Sequence, residues 1–196
     1  MALLLDEKTD IQTEKIITSI NPATLEKLGT VEVFSREQVE DKVKEARNAF
    51  KVWSKLSIGE RSSYILRAKN YILNNLDSIA SLISKENGKP MVEAISAELL
   101  PVLDLMNHYA KNNHEILLRE EISLGKWALL NKRSYLEYNP IGVIAVISPW
   151  NFPLAILCGM TAAALAAGNT VIMKPAELTS LTAMAFYQIL LKAKIP

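Results

Sequence analysis

IGVIAVISPWNFP, residues 141–153, begins with seven apolar residues in a row and ends with a Trp–Asn pair between two prolines. A run that is apolar at both alternating positions is typical of a strand covered on both faces, as in a parallel sheet. Residues 154–167 then carry helix formers, residues 169–173 predict a second buried strand, and residues 179–194 show a second helical pattern. This order predicts a βαβα unit, the first half of a doubly wound parallel sheet in an α/β fold.

The chain before this unit begins with strand-like sequence. Residues 15–20 and 26–34 are rich in β-branched residues, and Asn21-Pro22 between them is a turn signal. We therefore expect a short hairpin or two arm strands. Residues 133–138 also have β-forming side chains, and they predict a further strand.

Several helices are expected between these strands. Capping boxes at Ser35 and Ser57 precede apolar residues at helical spacing, and a third helix should end at Gly88, which suits a left-handed terminus. Residues 91–118 continue the helical pattern. Pro101 lies inside that segment and should kink or split it.

The composition is that of a globular soluble chain. The chain has 196 residues, of which 49% are apolar and 22% charged, so it predicts one domain or a piece of something larger. The net charge of +1 shows no electrostatic preference for nucleic acid or anionic membranes, and neither is expected as a partner. A single cysteine excludes an intrachain disulfide and suits a reducing compartment, so we expect a cytoplasmic protein.

A membrane-spanning interpretation has one observation in its favour. No charged residue occurs between positions 141 and 173, a window long enough to cross a bilayer. Residues 148–153 and Gly168-Asn169 divide the window into pieces shorter than a spanning helix, so no span is expected. The first residues, MALLLDEK, lack a basic segment, and no secretory signal is expected.

Polar residues follow both apolar runs of the βαβα unit, where open parallel sheets bind their ligands. These segments are SPWN (residues 148–151) and KPAE (residues 174–177). The Glu177 carboxylate could accept both hydroxyls of a ribose, and the Lys174 ammonium could bind a hydroxyl or phosphate. The alternative is a solvated Lys–Glu pair. The glycine fingerprint of an ordinary Rossmann dinucleotide site is absent from the first turn.

Two longer segments carry a family resemblance. ISPWNFP, followed by AAALAAGNTVIMKPAELTSL, closely resembles the aldehyde dehydrogenase superfamily. INPATLEKLGTV, EARNAFKVWSKLSIGERSSYILRA and KENGKP resemble the amino-terminal region of that family more weakly. The resemblance implies a helical and β-arm part of the cofactor domain at residues 1–124, an oligomerisation-type strand at 125–140, and the first half of a Rossmann-like NAD-binding sheet at 141–196.

The resemblance also implies roles for seven residues. Asn151 matches the asparagine whose side-chain amide, with a backbone N–H, stabilises the oxyanion formed when a thiolate attacks the aldehyde. Lys174 and Glu177 match residues that bind the adenosine ribose. Four residues match the segment lining the nicotinamide side of the cofactor site: Ile147, Ser148, Pro149 and Trp150. The alternative for Asn151 is a turn residue that hydrogen-bonds its own backbone.

The family reaction needs groups that this resemblance places later than Pro196. They are a cysteine nucleophile, a glutamate base and the rest of the NAD(P)+ site. Cys158 is not a convincing substitute, because it lies on an apolar helix without a nearby base and should be an inert core thiol. His108 and His114 are six residues apart, so surface or packing roles are expected and no metal site.

Three interpretations remain open. The chain is an amino-terminal fragment of an enzyme that oxidises a small aliphatic or aromatic aldehyde to a carboxylic acid, and is inactive alone. It is half of a split enzyme, completed by a carboxyl-terminal chain. Or it is a non-catalytic module that binds full-length subunits through its hairpin and residues 133–138, with self-association possible. Glu177 favours NAD as cofactor because its charge opposes a 2′-phosphate, whereas Lys174 could tolerate NADP.

Overall fold

The computed structural model describes residues 16–125 and 132–196. Its strands are β1 Ile16–Ile20, β2 Lys27–Glu32, β3 Glu120–Ile122, β4 Ser134–Leu136, β5 Val143–Ile147 and β6 Thr170–Lys174. Its helices are α1 Arg36–Trp53, α2 Ile58–Asn74, α3 Leu76–Asn87, α4 Met91–Glu93, α5 Leu100–Ile116, α6 Ala155–Ala166 and α7 Ser180–Lys192. A π-helical turn, Ala94–Leu99, lies between α4 and α5, and a 3₁₀ turn, Glu177–Thr179, precedes α7.

The strands form three two-stranded sheets in the described ranges. Strands β1 and β2 pair antiparallel, which confirms the predicted hairpin. Strands β5 and β6 pair parallel with α6 between them in sequence, from Val143 opposite Thr170 to Ile147 opposite Lys174. The predicted mixed α/β architecture with a parallel strand pair is therefore confirmed, and its completion into a doubly wound sheet stays a prediction.

Helix ends follow the sequence signals closely. The Ser35 hydroxyl accepts from the Gln38 N–H at 3.3 Å, and the Gln38 side chain accepts from the Ser35 N–H at 2.7 Å. Ser57 and Glu60 form the same reciprocal pair before α2. Both capping boxes are confirmed, and α3 ends as predicted at Gly88 with φ of +84°.

The helical segment from Met91 to Ile116 changes its hydrogen bonding in the middle. In the π turn, the N–H of Leu100 donates to Ile95, five residues earlier. Pro101 follows in the first turn of α5 and has no N–H to donate to the preceding π turn. The predicted interruption is thus confirmed, and it takes the form of an extra residue in one turn.

One expectation about burial is wrong for the described residues. Strand β5 was expected to be covered on both faces, but Val146 is 0% exposed whereas the neighbouring Ile147 is 70% exposed. Helices α1 and α6 pack against β5 and β6 and bury the Val146 side. Within residues 16–125 and 132–196 no second layer covers the Ile147 side.

The predicted strand at residues 133–138 is shorter in the structure. Only Ser134–Leu136 are extended, and they pair antiparallel with β3, which the sequence pattern did not predict. Residues 126–131 of the expected oligomerisation segment lie outside the described residues. The expected start of the first strand at residue 15 and the expected absence of a leader in MALLLDEK lie outside them too.

The main hydrophobic core lies where α2, α5, α6 and α7 meet. Its largest fully buried apolar side chains come from these helices and their neighbours: Trp53, Ile65, Ile72, Ile83, Leu99, Met106, Leu154, Leu157 and Phe186. Each such side chain contributes about 1.5–3 kcal/mol by leaving water. In the part of the chain that the structure describes, we find no helix with the length and apolar character needed to cross a membrane.

Candidate functional site

The carboxyl ends of β5 and β6 lie side by side. Ile147 is the register partner of Lys174, and the Ser148 N–H donates to the Lys174 carbonyl at 3.2 Å. Residues 148–151 and 174–177 therefore leave the sheet at the same edge. The structure brings the two predicted binding segments together.

The first segment is exposed except for one side chain. Ile147, Pro149, Trp150 and Asn151 are all exposed, with Trp150 at 53%. Ser148 is 5% exposed, and its hydroxyl has no hydrogen-bond partner among the described residues. The hydroxyls of Thr161 and Ser180, which lie outside the two segments, are likewise buried without a partner among the described residues.

The second segment carries a loosely associated ion pair. The Lys174 Nζ lies 3.9 Å from the Glu177 Oε2, and the two side chains are 64% and 65% exposed. An exposed pair at that distance contributes little stability. Either charged group can therefore leave its partner and bind a ligand. The geometry also fits the alternative of a solvated Lys–Glu pair.

The backbone on either side of Asn151 is fixed by residues that the sequence reasoning did not select. Lys89 Nζ donates to the Asn151 carbonyl at 2.9 Å, and Asn87 Nδ2 donates to the Trp150 carbonyl at 2.8 Å. Lys89 also forms an ion pair with Glu98. The two charged side chains are only 6% and 0% exposed.

Glu98 extends this network to the start of α6. Its Oε2 accepts from the N–H groups of Leu154 at 3.1 Å and Ala155 at 2.8 Å. The first N–H groups of a helix have no partner within the helix, and a negative charge there is favoured by the helix dipole. Glu98 thus acts as the cap that α6 lacks in its own sequence.

The other end of α6 is also bound by side chains. The Trp53 indole donates to the Leu165 carbonyl at 3.0 Å, and Arg61 and Asn113 both donate to the Ala166 carbonyl at 3.0 Å. Burial lowers the pKa of Arg61, but a guanidinium stays charged in proteins. Its positive charge lies at the negative end of the helix dipole.

The turn after α6 fixes the start of β5. Asn169 is 6% exposed, and its Oδ1 accepts from the N–H groups of Ile141 at 2.7 Å and Gly142 at 3.0 Å. Gly168 before it has φ of +92°, a conformation that glycine adopts without strain. This turn therefore joins both strands of the parallel pair at the end opposite the site.

KENGKP, residues 85–90, has a second acidic side chain with a similar task. Glu86 is 3% exposed and accepts from the N–H groups of Leu181 at 2.8 Å and Thr182 at 2.7 Å, at the start of α7. It also accepts from the Ser19 hydroxyl of β1 at 2.8 Å. One turn thus connects the hairpin, α7 and the Asn151 segment.

A cavity of about 540 Å³ lies beside the predicted site. Trp150 and Glu177, one from each predicted segment, line it together with Glu86, Asn87 and strand β1. The amino-terminal hairpin therefore forms one wall of a recess at the carboxyl edge of the parallel strands.

The other reactive side chains lie away from this recess. Cys158 is 0% exposed, and burial raises the pKa of its thiol, so the group stays protonated near neutral pH. His108 and His114 are both exposed, and His108 contacts Asn112 at 2.8 Å. In residues 16–125 and 132–196, no group of three or more potential ligands is arranged to bind a metal.

The structure thus has a parallel strand pair, a crossover helix and a recess at the carboxyl edge, which is the edge where open α/β sheets bind their ligands. A sequence model of the aldehyde dehydrogenase family matches residues 9–196. The chain therefore belongs to the aldehyde dehydrogenase family.

Two proteins illustrate the relationship. Aldehyde dehydrogenase NAD(P)+ 2 of Saccharomyces cerevisiae is 38% identical over 183 residues, which cover 93% of this chain and 35% of the yeast protein. An aldehyde dehydrogenase structure from Brucella melitensis biovar abortus superposes with a TM-score of 0.86 at 32% identity, covering 92% of this chain and 36% of that one.

A third relative was solved with a cofactor. The 1-pyrroline-5-carboxylate dehydrogenase from Thermus with bound NAD is 29% identical, with a TM-score of 0.80 and coverage of 92% of this chain and 34% of that chain. The present chain thus spans about a third of the length of the relatives it matches.

Proposed function

We propose that this chain supplies the oxyanion donor and part of the cofactor surface of an NAD(P)-dependent aldehyde dehydrogenase. Its substrate in the complete enzyme is a small aliphatic or aromatic aldehyde, which is oxidised to the carboxylic acid. The observation that carries the proposal is the position of Asn151. Its side chain is exposed at the carboxyl edge of the parallel strands, while its carbonyl is fixed by Lys89.

The chemistry requires a donor where negative charge develops on the aldehyde oxygen. A short amide between Pro149 and Pro153 has little conformational freedom, so it needs little reorganisation to donate. NAD(P)+, when bound, supplies the hydride acceptor. The thiol that attacks the aldehyde comes from elsewhere in this proposal, because Cys158 is buried and protonated.

The residues of the edge fit a nucleotide in the proposed site. Ser148 offers an unpaired hydroxyl among the described residues, and Ile147, Pro149 and Trp150 offer apolar surface for a nicotinamide. Lys174 and Glu177 are exposed and only loosely paired, so either side chain is accessible to the hydroxyls of a ribose. The Glu177 charge favours NAD over NADP, so Glu177→Gln is expected to raise the use of NADP relative to NAD.

The proposal is tested by complementation. The chain is mixed with a carboxyl-terminal polypeptide from a full-length family member that carries the thiol, the base and the remaining cofactor strands. We expect aldehyde-dependent NADH formation in the mixture and none from either polypeptide alone. Asn151→Ala should lower kcat by about 100- to 1,000-fold, the usual cost of one oxyanion donor.

The matched control is Asn139→Ala. Asn139 is also an exposed asparagine close to a proline, Pro140, but it lies outside the recess. Its replacement should leave kcat unchanged. Equal activity of the Asn151→Ala and unsubstituted mixtures would refute the assignment of the oxyanion donor. Turnover by the chain alone would refute the need for a second polypeptide.

A second candidate is a module that binds full-length subunits of the family. The observation in its favour is the small β3–β4 sheet, on which Ile122 is 48% and Leu136 40% exposed. Native mass spectrometry of the chain with a full-length subunit would detect a mixed oligomer. This function predicts that Leu136→Lys abolishes the mixed oligomer while Asn151→Ala does not.

Residues 1–124, 125–140 and 141–196 remain our proposed division of the chain into a helical and β-arm part, an oligomerisation segment and half of the NAD sheet. The free, buried thiol of Cys158 supports a reducing, cytoplasmic location in the same proposal. Subcellular fractionation followed by immunodetection of the chain would test the location.

A further inference from the structure

We propose that Lys89 and Glu98 are positioning residues that set the placement of Asn151 at the carboxyl edge of the parallel strands. The inference rests on the proposed role of Asn151 as the oxyanion donor. Both side chains are buried, at 6% and 0% exposed. They act through the backbone of residues 151–155.

The contacts of the pair all converge on that short segment. Lys89 donates to the Asn151 carbonyl at 2.9 Å, and its ammonium also lies 4.7 Å from the centre of the Phe152 ring. Glu98 accepts from the N–H groups of Leu154 and Ala155 with one carboxylate oxygen and pairs with Lys89 through the other. The segment is thus bound on both sides of Pro153 by one ion pair.

Burial makes this an expensive way to stabilise a fold. Desolvating two charges offsets most of their attraction, and a buried ion pair replaced by apolar residues of similar size is often as stable. Charge is needed here for a different reason. An ammonium can donate to a carbonyl and a carboxylate can accept from two N–H groups, whereas an apolar pair of the same shape could bind neither.

The local backbone is adapted to the same purpose. Glu98 lies within the π turn Ala94–Leu99, and such single turns are frequent at functional sites. The turn sets the rotation of Glu98 relative to α5, whose own buried face packs against α2. Both faces can therefore be buried at once.

Glu86 provides a matched control within the same chain. It too is a buried carboxylate that accepts from two consecutive N–H groups at a helix start, but that helix is α7. A general effect of losing a buried carboxylate would act similarly at either position. A positioning effect of Glu98 would be confined to residues 151–155.

The experiment is hydrogen exchange of the chain, read by mass spectrometry, together with thermal unfolding. In Glu98→Gln and Lys89→Met we expect exchange at Leu154 and Ala155 to rise about ten- to hundredfold, the loss expected for hydrogen bonds to a charged group. Exchange at Leu181 and Thr182 should stay unchanged. Glu86→Gln should show the reverse pattern.

The double variant Lys89→Met/Glu98→Leu separates positioning from stability. Its Tm is expected to recover relative to the single variants, because no unpaired charge remains buried. Exchange at Leu154 and Ala155 should nevertheless stay fast. The proposal would be overturned if the Tm and the slow exchange at Leu154 and Ala155 both recovered in the double variant. It would also be overturned if Glu98→Gln and Glu86→Gln had equal effects on the Asn151 segment. If the double variant does not fold, the Glu98→Gln variant decides the question.

This measurement is independent of catalysis. In the complemented mixture described above, Glu98→Gln is expected to lower kcat while leaving the KM for NAD unchanged. If the mixture shows no turnover at all, the proposed function fails, and the exchange pattern still decides whether Lys89 and Glu98 position the segment.

Discussion

Gly88 connects the hairpin to the centre of the molecule. Its φ of +84° ends α3, and a β-carbon built on it would lie 2.8 Å from Cγ of Pro22, between β1 and β2. Residues with a side chain rarely adopt this backbone conformation, and the close approach of Pro22 leaves no room for a β-carbon. Both constraints act at the turn that carries Glu86 and Lys89.

Replacing Gly88 by alanine should destabilise the chain by about 1–3 kcal/mol, from the strained φ and the contact with Pro22. Urea unfolding followed by circular dichroism would measure the loss. Gly59→Ala is the control, since Gly59 lies in α2 with open space around its Cα. The free energy of unfolding of Gly59→Ala should rise by up to about 1 kcal/mol. A Gly88→Ala chain as stable as the parent chain would contradict the constraint at Gly88.

The pKa of Cys158 predicts its reactivity. Burial raises that pKa, so the thiolate that reacts with alkylating reagents is scarce in the folded chain below and above neutral pH. Between about pH 7 and 9, iodoacetamide labelling of the unfolded chain should rise steeply through the ordinary thiol pKa. Labelling of the folded chain should stay slow across that range, and rapid native labelling would show that the thiol is accessible.

Helix α6 is the element on which the site depends most. It is almost wholly apolar in sequence and has no cap of its own, yet a carboxylate from the π turn binds its start and a guanidinium from α2 binds its end. The signs match the helix dipole at both ends. Apolar packing therefore holds the sides of α6 against the core, and the hydrogen bonds at its two ends fix its position along the helix axis.

The stability of the chain should depend on the acceptor oxygen of Asn169 and much less on the NH2 group of its amide. Asn169→Ala leaves the N–H groups of Ile141 and Gly142 unpaired, at a cost of about 1–3 kcal/mol. Asn169→Asp keeps the accepting oxygen and should cost much less. Thermal unfolding of the two variants tests the difference, and equal Tm values would rule out the acceptor role.

Local signals predicted the elements well, because capping boxes and left-handed glycines act within a few residues. The serines at positions 35 and 57 and Gly88 mark helix ends in the structure as in the sequence. Strand β3 escaped prediction, since three residues, two of them acidic, carry no alternation that could identify it.

The support of the candidate site was out of reach for a different reason. Glu98 and Leu154 are 56 residues apart in sequence, and Lys89 and Asn151 are 62 apart. No periodicity relates such positions. The motif KENGKP was visible as a family feature, but only the tertiary arrangement reveals that Glu86 contacts the start of α7 whereas Asn87 and Lys89 contact residues 150–151.

At the scale of the whole chain, the described residues leave apolar surface and strand edges open. Ile141 is 89% and Ile147 70% exposed, both beside a parallel sheet of only two strands. Open edges and uncovered apolar faces favour association with other chains.

We therefore expect the purified chain to self-associate as its concentration rises. Size-exclusion chromatography with light scattering should show a mass that grows with loading. Ile141→Lys should reduce the association, because a charge at the exposed position opposes the burial of that face. Asn139→Lys adds the same charge at an exposed polar position and is the control for surface charge alone. Identical masses for Ile141→Lys and the parent chain would show that this face is not the contact.

The extra residue in the π turn makes residue count part of the structure. An α-helix advances about 100° per residue, so the turn rotates all of α5 relative to α4. Deleting one residue from Ala94–Leu99 would restore a continuous α-helix. The Glu98 side and the core-facing side of α5 could then no longer both be buried. Either Glu98 would turn away from α6, or the stripe that includes Val102 and Met106 would turn away from the core. A chain of this family that is one residue shorter here must therefore cap α6 from a different helical position.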